Sequence, residues 1–124
     1  MITRFDGMTI WSSDLNRLLP FYRDVMGLPV ALESPGFVIL GNIEQPCLCI
    51  GTHSEVRGPN PDRHRFLAQL RTDDIHGEVR RLTEAGVPIY QQPEHQGDGF
   101  WIATCEDPDG NFVQLTYTGA EPGK

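Results

Sequence analysis

The side chains of this chain that can do chemistry are few. Cys47 and Cys49 stand two positions apart. On a strand that spacing turns both thiols to one face, as a soft-metal or redox site needs. Two small, inert side chains inside a sheet would show the same spacing, and Cys105 lies in the other half of the chain. His53, His64, His76 and His95 show no paired metal spacing. His76 falls in the first turn of a helix and is expected to be solvated, while His53 and His64 flank a polar linker. Trp11, Tyr90, Phe100, Trp101 and Phe112 can stack on a planar ligand, each adding about 1 kcal/mol beyond the area it buries. Arg71 carries the forked guanidinium that pairs with a carboxylate or a phosphate. Asp107, Asp109 and Gly110 are read as turn formers and Asp14 as a helix cap. The sequence offers no Ser-His-Asp arrangement, Gly-rich phosphate loop or CxxC pair.

A repeat must position these groups. Residues 13–30 read SDLNRLLPFYRDVMGLPV and residues 73–90 read DDIHGEVRRLTEAGVPIY. Each opens with Asp and a branched apolar residue, and each closes with Gly, an apolar residue, Pro and a β-branched residue. The copies lie about half the chain apart, so two equivalent supersecondary units are expected. The first unit begins with a strand over 3–12. A helix follows from Ser13 or Asp14, with Leu15, Leu18, Leu19, Tyr22, Val25 and Met26 on one face. Pro20 predicts a kink or a missing bond inside it, and Gly27 suits its C-terminal end. Strands over 29–33, 37–41 and 47–52 complete the unit. A polar, Pro- and Gly-containing segment leads to the second unit: a strand over 65–71, a helix over 74–85 with Ile75, Val79, Leu82 and Ala85 on one face, and strands over 88–92, 100–105 and 112–118. Each unit is βαβββ.

The bulk numbers bound the class. The chain has 124 residues, 39% hydrophobic and 22% charged, enough for one domain with a sizeable core. A net charge of −7 argues against a nucleic-acid partner, which needs a basic surface, but not against an anionic small ligand. No apolar run is long enough to cross a membrane. The opening MITRFDG lacks a signal-peptide layout, and the three Cys residues do not form a disulfide framework. A reducing cytoplasm is the expected location. Residues 119–124 read as a flexible tail.

With βαβββ duplicated, SSDLNRLLPFYRDVMGL near the start and EDPDGNFVQLTY near the end, the chain resembles the vicinal oxygen chelate superfamily. This is the glyoxalase I, bleomycin-resistance and extradiol-dioxygenase group. The resemblance covers about residues 4–118. It implies an α+β fold of two tandem βαβββ modules, about 3–53 and 64–118 around a linker at 54–63. Their strands form a cup-shaped, half-open mixed sheet with helices on the outer face. Two cups usually make a shared cavity, and such proteins are commonly homodimers. The loop at 92–99, with His95, would then lie where it can close over the cavity mouth.

Metal-dependent members hold a divalent ion through cavity-facing residues of the first and fourth strands of each module, usually His, Glu or Gln. Counting from Asp14, Asp73-Asp74 and Gly110, those positions here are Gly7, Cys49, Leu67 and Gln114. Gly7 and Leu67 offer no donor, Gln114 offers a weak neutral oxygen, and Cys49 is soft where the metal chemistry wants hard ligands. The expectation is therefore no metal and no cofactor. Strand alternation sends Met8, Ile10, Leu48, Ile50, Phe66, Ala68, Val113 and Leu115 toward the helices. The ligand-binding set expected on the other face is Trp11, Cys49, Leu67, Gln69, Arg71, Phe112 and Gln114, with Trp101 as a further stacking residue. The function expected is metal-independent binding of a small, aromatic molecule. The alternative is a metal-dependent glyoxalase- or dioxygenase-type enzyme with non-standard ligands. A third reading is a cofactorless isomerase or lyase with His95 or Glu106 as base. The catalytic residues are unknown, and whether the chain is an enzyme stays open.

Overall fold

A computed structural model describes residues 1–120. The chain divides into two compact units, Met1–Pro59 and Asn60–Lys124. The fold is α+β, and each unit carries one four-stranded mixed sheet and one helical segment.

In the first unit β1 (Gly7–Ser12) lies parallel to β4 (Cys47–Thr52), which runs antiparallel to β3 (Phe37–Leu40), itself paired with β2 (Val30–Ser34). The sheet order β1-β4-β3-β2 leaves β1 and β2 as edges. Between β1 and β2 the chain turns at Ser12, whose hydroxyl accepts from Asp14 N–H at 3.0 Å. Asp14 then caps α1 (Leu15–Leu19), its carboxylate accepting from Asn16 N–H at 2.9 Å. Thr52 Oγ1 accepts from Leu15 N–H at 2.9 Å, which ties the helix start to the end of β4. The helix keeps α geometry for only five residues. At Pro20, which has no N–H to give, it widens into a π-helical segment, Pro20–Val25, closed by Met26 N–H donating to Phe21 O at 2.8 Å. The disturbance expected at Pro20 is this change of helix type.

The core follows from alternation. Val38, Leu40, Leu48 and Ile50 point to the helix side and are buried against a layer that includes Leu15, Leu18, Leu19, Phe21 and Tyr22. Burying each of these side chains stabilises by about 1.5–3 kcal/mol. Their strand neighbours Phe37, Ile39, Cys47 and Cys49 are only half-buried.

The second unit repeats the plan. Here β5 (Ala68–Arg71) is parallel to β8 (Phe112–Thr118), followed by β7 (Phe100–Glu106) and β6 (Ile89–Gly97), in the order β5-β8-β7-β6. The helix α2 (Ile75–Glu84) starts at Asp74, whose Oδ1 accepts from Gly77 N–H at 3.0 Å. It buries Ile75, Val79 and Leu82 on the side of the sheet that carries Ala103, Cys105, Val113 and Leu115. Asp107 is a turn former as expected: its Oδ1 accepts from Asp109 N–H at 2.8 Å and Asn111 N–H at 2.9 Å.

Three boundaries differ from the sequence-based reading by more than one residue. β1 starts at Gly7, and residues 1–6 are exposed. β5 starts at Ala68, so Phe66 precedes the strand and is 76% exposed rather than turned to the helix. β6 is nine residues long and irregular in register, and it takes in His95 instead of leaving it in a loop. Of the tail expected from 119 onward, Gly119 N–H bonds to Gly99 O at 2.9 Å and Tyr117 OH donates to Ala120 O at 2.8 Å. Residues 121–124 lie outside the described residues. No helix among the described residues is long and apolar enough to cross a membrane.

Candidate functional site

The helix-free face of each sheet carries the more accessible side chains, with Thr104, Phe112 and Thr116 as buried exceptions, and strand register arranges them in rows. In the first unit one row is Trp11, Gly51, Phe37 and Ser34, and the next is Thr9, Cys49, Ile39 and Leu32. Trp11 lies across Gly51. A Cβ on Gly51 would fall 2.6 Å from Trp11 Cζ3, so only glycine admits the indole there. The indole sits 5.9 Å from the Phe37 ring and 5.4 Å edge-on from the His53 imidazole. Trp11 is still 43% exposed. This is a supported aromatic platform with one open surface, able to stack on a planar molecule.

In the second unit the central row is Gln69, Gln114, Thr104 and Gln91. Gln69 Nε2 donates to Gln114 Oε1 at 2.8 Å, and Thr104 Oγ1 donates to Gln91 Oε1 at 3.5 Å. Every polar group of that row is neutral. Arg71 stands one row further along, in register with Thr116, and its Nη1 donates to Thr118 Oγ1 at 3.0 Å. Leu67 is half-buried just before β5. The far end of this face is closed by aromatic stacking. Phe112 is 3% exposed under Tyr90 (4.4 Å between centroids), His64 (4.9 Å) and the Arg63 guanidinium (4.6 Å). Arg63 is held there by Glu106, 2.8 Å away.

Two of the expected ligand contacts are corrected by this geometry. Trp101 is in phase with Ala103 and Cys105 on β7 and with Tyr117 across the ladder, on the helix-covered side. It touches His76 of α2 at 5.4 Å and His95 at 5.1 Å. It therefore belongs to the opposite face from Gln114. Phe112 is on the correct face, but its ring is covered by Arg63 and Tyr90. His95 goes with Trp101, and His76 is half-buried rather than solvated. Trp11, Cys49, Gln69, Arg71 and Gln114 remain on the open faces of their own units. Thr104, Gln91 and Phe37 share those faces and His53 packs on Trp11, although none of the four was in the expected ligand-binding set. The period-two phase of β7 against Gln114 was the signal that would have found Thr104 and excluded Trp101.

The positions that hold a divalent ion in the metal-dependent proteins this chain resembles do not suit one here. A Cβ on Gly7 would lie 2.1 Å from Cys47 O, so no side chain of any kind fits at residue 7. Leu67 has no donor. Gln114 Oε1 already accepts from Gln69. Burial and the neighbouring Cys47 push the Cys49 thiol up, toward the neutral form that binds metal poorly. The Cys47 Sγ lies 3.2 Å from Asn42 O and 3.3 Å from Gln45 O, donating to the turn before β4. Among the described residues no three His, Cys, Asp or Glu side chains group to hold an ion.

The chain is 24% identical over 121 residues to the glutathione transferase FosA of Serratia marcescens, covering 93% of this chain and 81% of that protein. Solved structures share the fold. A glyoxalase/bleomycin resistance protein/dioxygenase family enzyme from Burkholderia phytofirmans superposes with a TM-score of 0.73 at 20% identity, over 94% of this chain and all of that one. A lactoylglutathione lyase from Agrobacterium tumefaciens does so with a TM-score of 0.71 at 21% identity, over 93% of each chain. The family model that describes the Glyoxalase/Bleomycin resistance protein/Dioxygenase superfamily matches residues 4–115. The duplicated βαβββ fold and this match over nearly the whole chain place the protein in the glyoxalase/bleomycin resistance protein/dioxygenase superfamily.

Proposed function

We propose that this protein binds a small aromatic molecule without the help of a metal ion. The observation that carries the reading is the Trp11 platform: an indole laid over a glycine, flanked by Phe37 and His53, with its outer surface open. The second unit, taken by itself, offers Gln69, Arg71 and Gln114 as polar groups for a ligand on its own open face. Sequestration asks for no reacting group, which agrees with a donor set at Gly7, Cys49, Leu67 and Gln114 unsuited to a hard ion. The test is a titration of an aromatic probe with excess EDTA, on wild type and on Trp11→Ala.

The protein acts as a cytoplasmic homodimer in this reading. Val30 and Leu32 are 39% and 54% exposed on the edge strand β2, and an uncovered apolar edge favours association. Sedimentation velocity should give a species of twice the 13.9 kDa chain mass; a monomer across the micromolar range would remove this part.

The names of two relatives, a glutathione transferase and a lactoylglutathione lyase, favour a second reading, a metal-dependent enzyme with non-standard ligands. Turnover of a glutathione hemithioacetal or of a catechol with added Mn²⁺, Ni²⁺ or Fe²⁺ would establish it.

A further inference from the structure

We infer that His53 is a positioning residue for the Trp11 platform, and that protonating it weakens the platform's hold on its ligand. This deepens the aromatic reading above and rests on it. The groups involved all belong to the first unit. His53 directly follows β4, and its backbone N–H donates to Ser12 O at 2.9 Å, one residue past Trp11. Val56 N–H donates to His53 O at 3.1 Å, which closes a turn over 53–56. Inside that turn the imidazole Nδ1 accepts from Glu55 N–H at 3.1 Å. Asn and Asp side chains make the same bond two residues on in an Asx turn. The half-buried ring is thus fixed through its backbone and through Nδ1, and it meets the indole edge-on at 5.4 Å. Phe37 and Gly51 support the rest of the indole. Neither can change charge, so of these three supports only His53 responds to a proton.

The bond to Glu55 fixes the tautomer. An imidazole nitrogen that accepts a hydrogen bond carries no proton, so the ring is neutral with its proton on Nε2. A proton taken from solvent onto Nδ1 sets two N–H donors against each other. The bond is then lost, and the ring turns away from Glu55 and takes its edge off the indole. Imidazole is the side chain that makes this change of charge between about pH 5 and 8. The groups around the ring do not oppose it. From β1 it meets the indole, and β4 ends beside it in Thr52, whose hydroxyl is taken by Leu15 N–H. Beyond Ser12 stands Asp14, whose carboxylate caps α1. Its own loop carries Glu55 and Arg57. None of these three charged groups is ion-paired to His53 among the described residues.

The test is the affinity of phenylnaphthylamine, a probe uncharged in this range, with excess EDTA between about pH 8 and about pH 5. It is measured on wild type, His53→Asn and His53→Phe. Wild type should lose affinity about five- to tenfold toward acid, the scale of one hydrogen bond and one ring contact. His53→Asn keeps an acceptor for Glu55 N–H and cannot titrate, while His53→Phe keeps a ring without the acceptor. Both should give flat profiles, whatever their affinity at neutral pH. In a Trp101→Phe background Trp11 is the one remaining indole. Its emission without ligand should change with the same midpoint as binding, and His53→Asn should remove that change. A wild-type profile that is flat or tightens in acid, a fall that survives His53→Asn, or emission that ignores pH would overturn the inference and leave the aromatic reading standing. No binding by wild type at any pH would sink the reading and the inference together. Circular dichroism identifies a variant that fails to fold, and the other variant then carries the comparison.

Discussion

Cysteine shows how one residue type takes different roles by position. Cys105 lies on the helix side of β7, 1% exposed. Burial, with Asp107 nearby, pushes its thiol up to about 12. The folded state therefore keeps the proton that an unfolded thiol loses near pH 8.5. Below about pH 8.5 both states are protonated and the group does not affect stability. Above it only the unfolded state ionises, so stability falls as pH rises toward about 12. Urea unfolding between neutral and strongly alkaline pH should show a loss approaching about 1.4 kcal/mol per pH unit. Cys105→Ala should lack that component of the slope; an unchanged alkaline slope in the variant would contradict the assignment. Residue types alone could not have said this. The spacing of Cys47 and Cys49 was legible as a shared face, but the burial of Cys105 depended on which face of β7 meets α2. The same ambiguity let Trp101 pass as a ligand contact.

At the level of elements, helix caps and strand phase decide what each unit presents. Asp74 caps α2 because Gly77 leaves room: a Cβ on Gly77 would fall 2.2 Å from Asp74 Oδ2. Gly→Ala inside a helix ordinarily stabilises by about 1 kcal/mol. Here Gly77→Ala must displace the cap, which itself contributes about 1 kcal/mol. Thermal unfolding should show no gain for Gly77→Ala; a clear rise in Tm would mean the cap carries no weight. The two helices and the order βαβββ were legible because caps, apolar spacing and closing Gly-x-Pro recur in both halves. Two things were not. The switch from α to π geometry at Pro20 depends on which hydrogen bond re-forms after the proline. The length of β6 depends on pairing with β7, since Ile89–Gly97 contains Pro93 and polar residues that read as loop.

For the molecule as a whole, duplication supplies two sheets of one design with unlike faces. Thr9 and Gln69, Trp11 and Arg71, Cys49 and Gln114 hold matching places on the first and fourth strands of their units. The first unit offers an aromatic surface and the second a neutral polar row, Gln69, Gln114, Thr104 and Gln91. The family and the fold were legible in the repeat, and so was the poverty of donors at Gly7 and Leu67. The cover that Arg63, His64 and Tyr90 lay over Phe112 was not, because it joins a turn before β5 to side chains of β6 and β8. The central claim is metal-free aromatic binding at Trp11. The most direct measurement is the affinity of phenylnaphthylamine in excess EDTA for wild type, Trp11→Ala and Trp101→Phe. Saturable binding that EDTA leaves intact, weakened about tenfold or more by Trp11→Ala and unmoved by Trp101→Phe, is the predicted result. Binding that EDTA abolishes and a divalent ion restores, or that Trp11→Ala leaves unchanged, would contradict it.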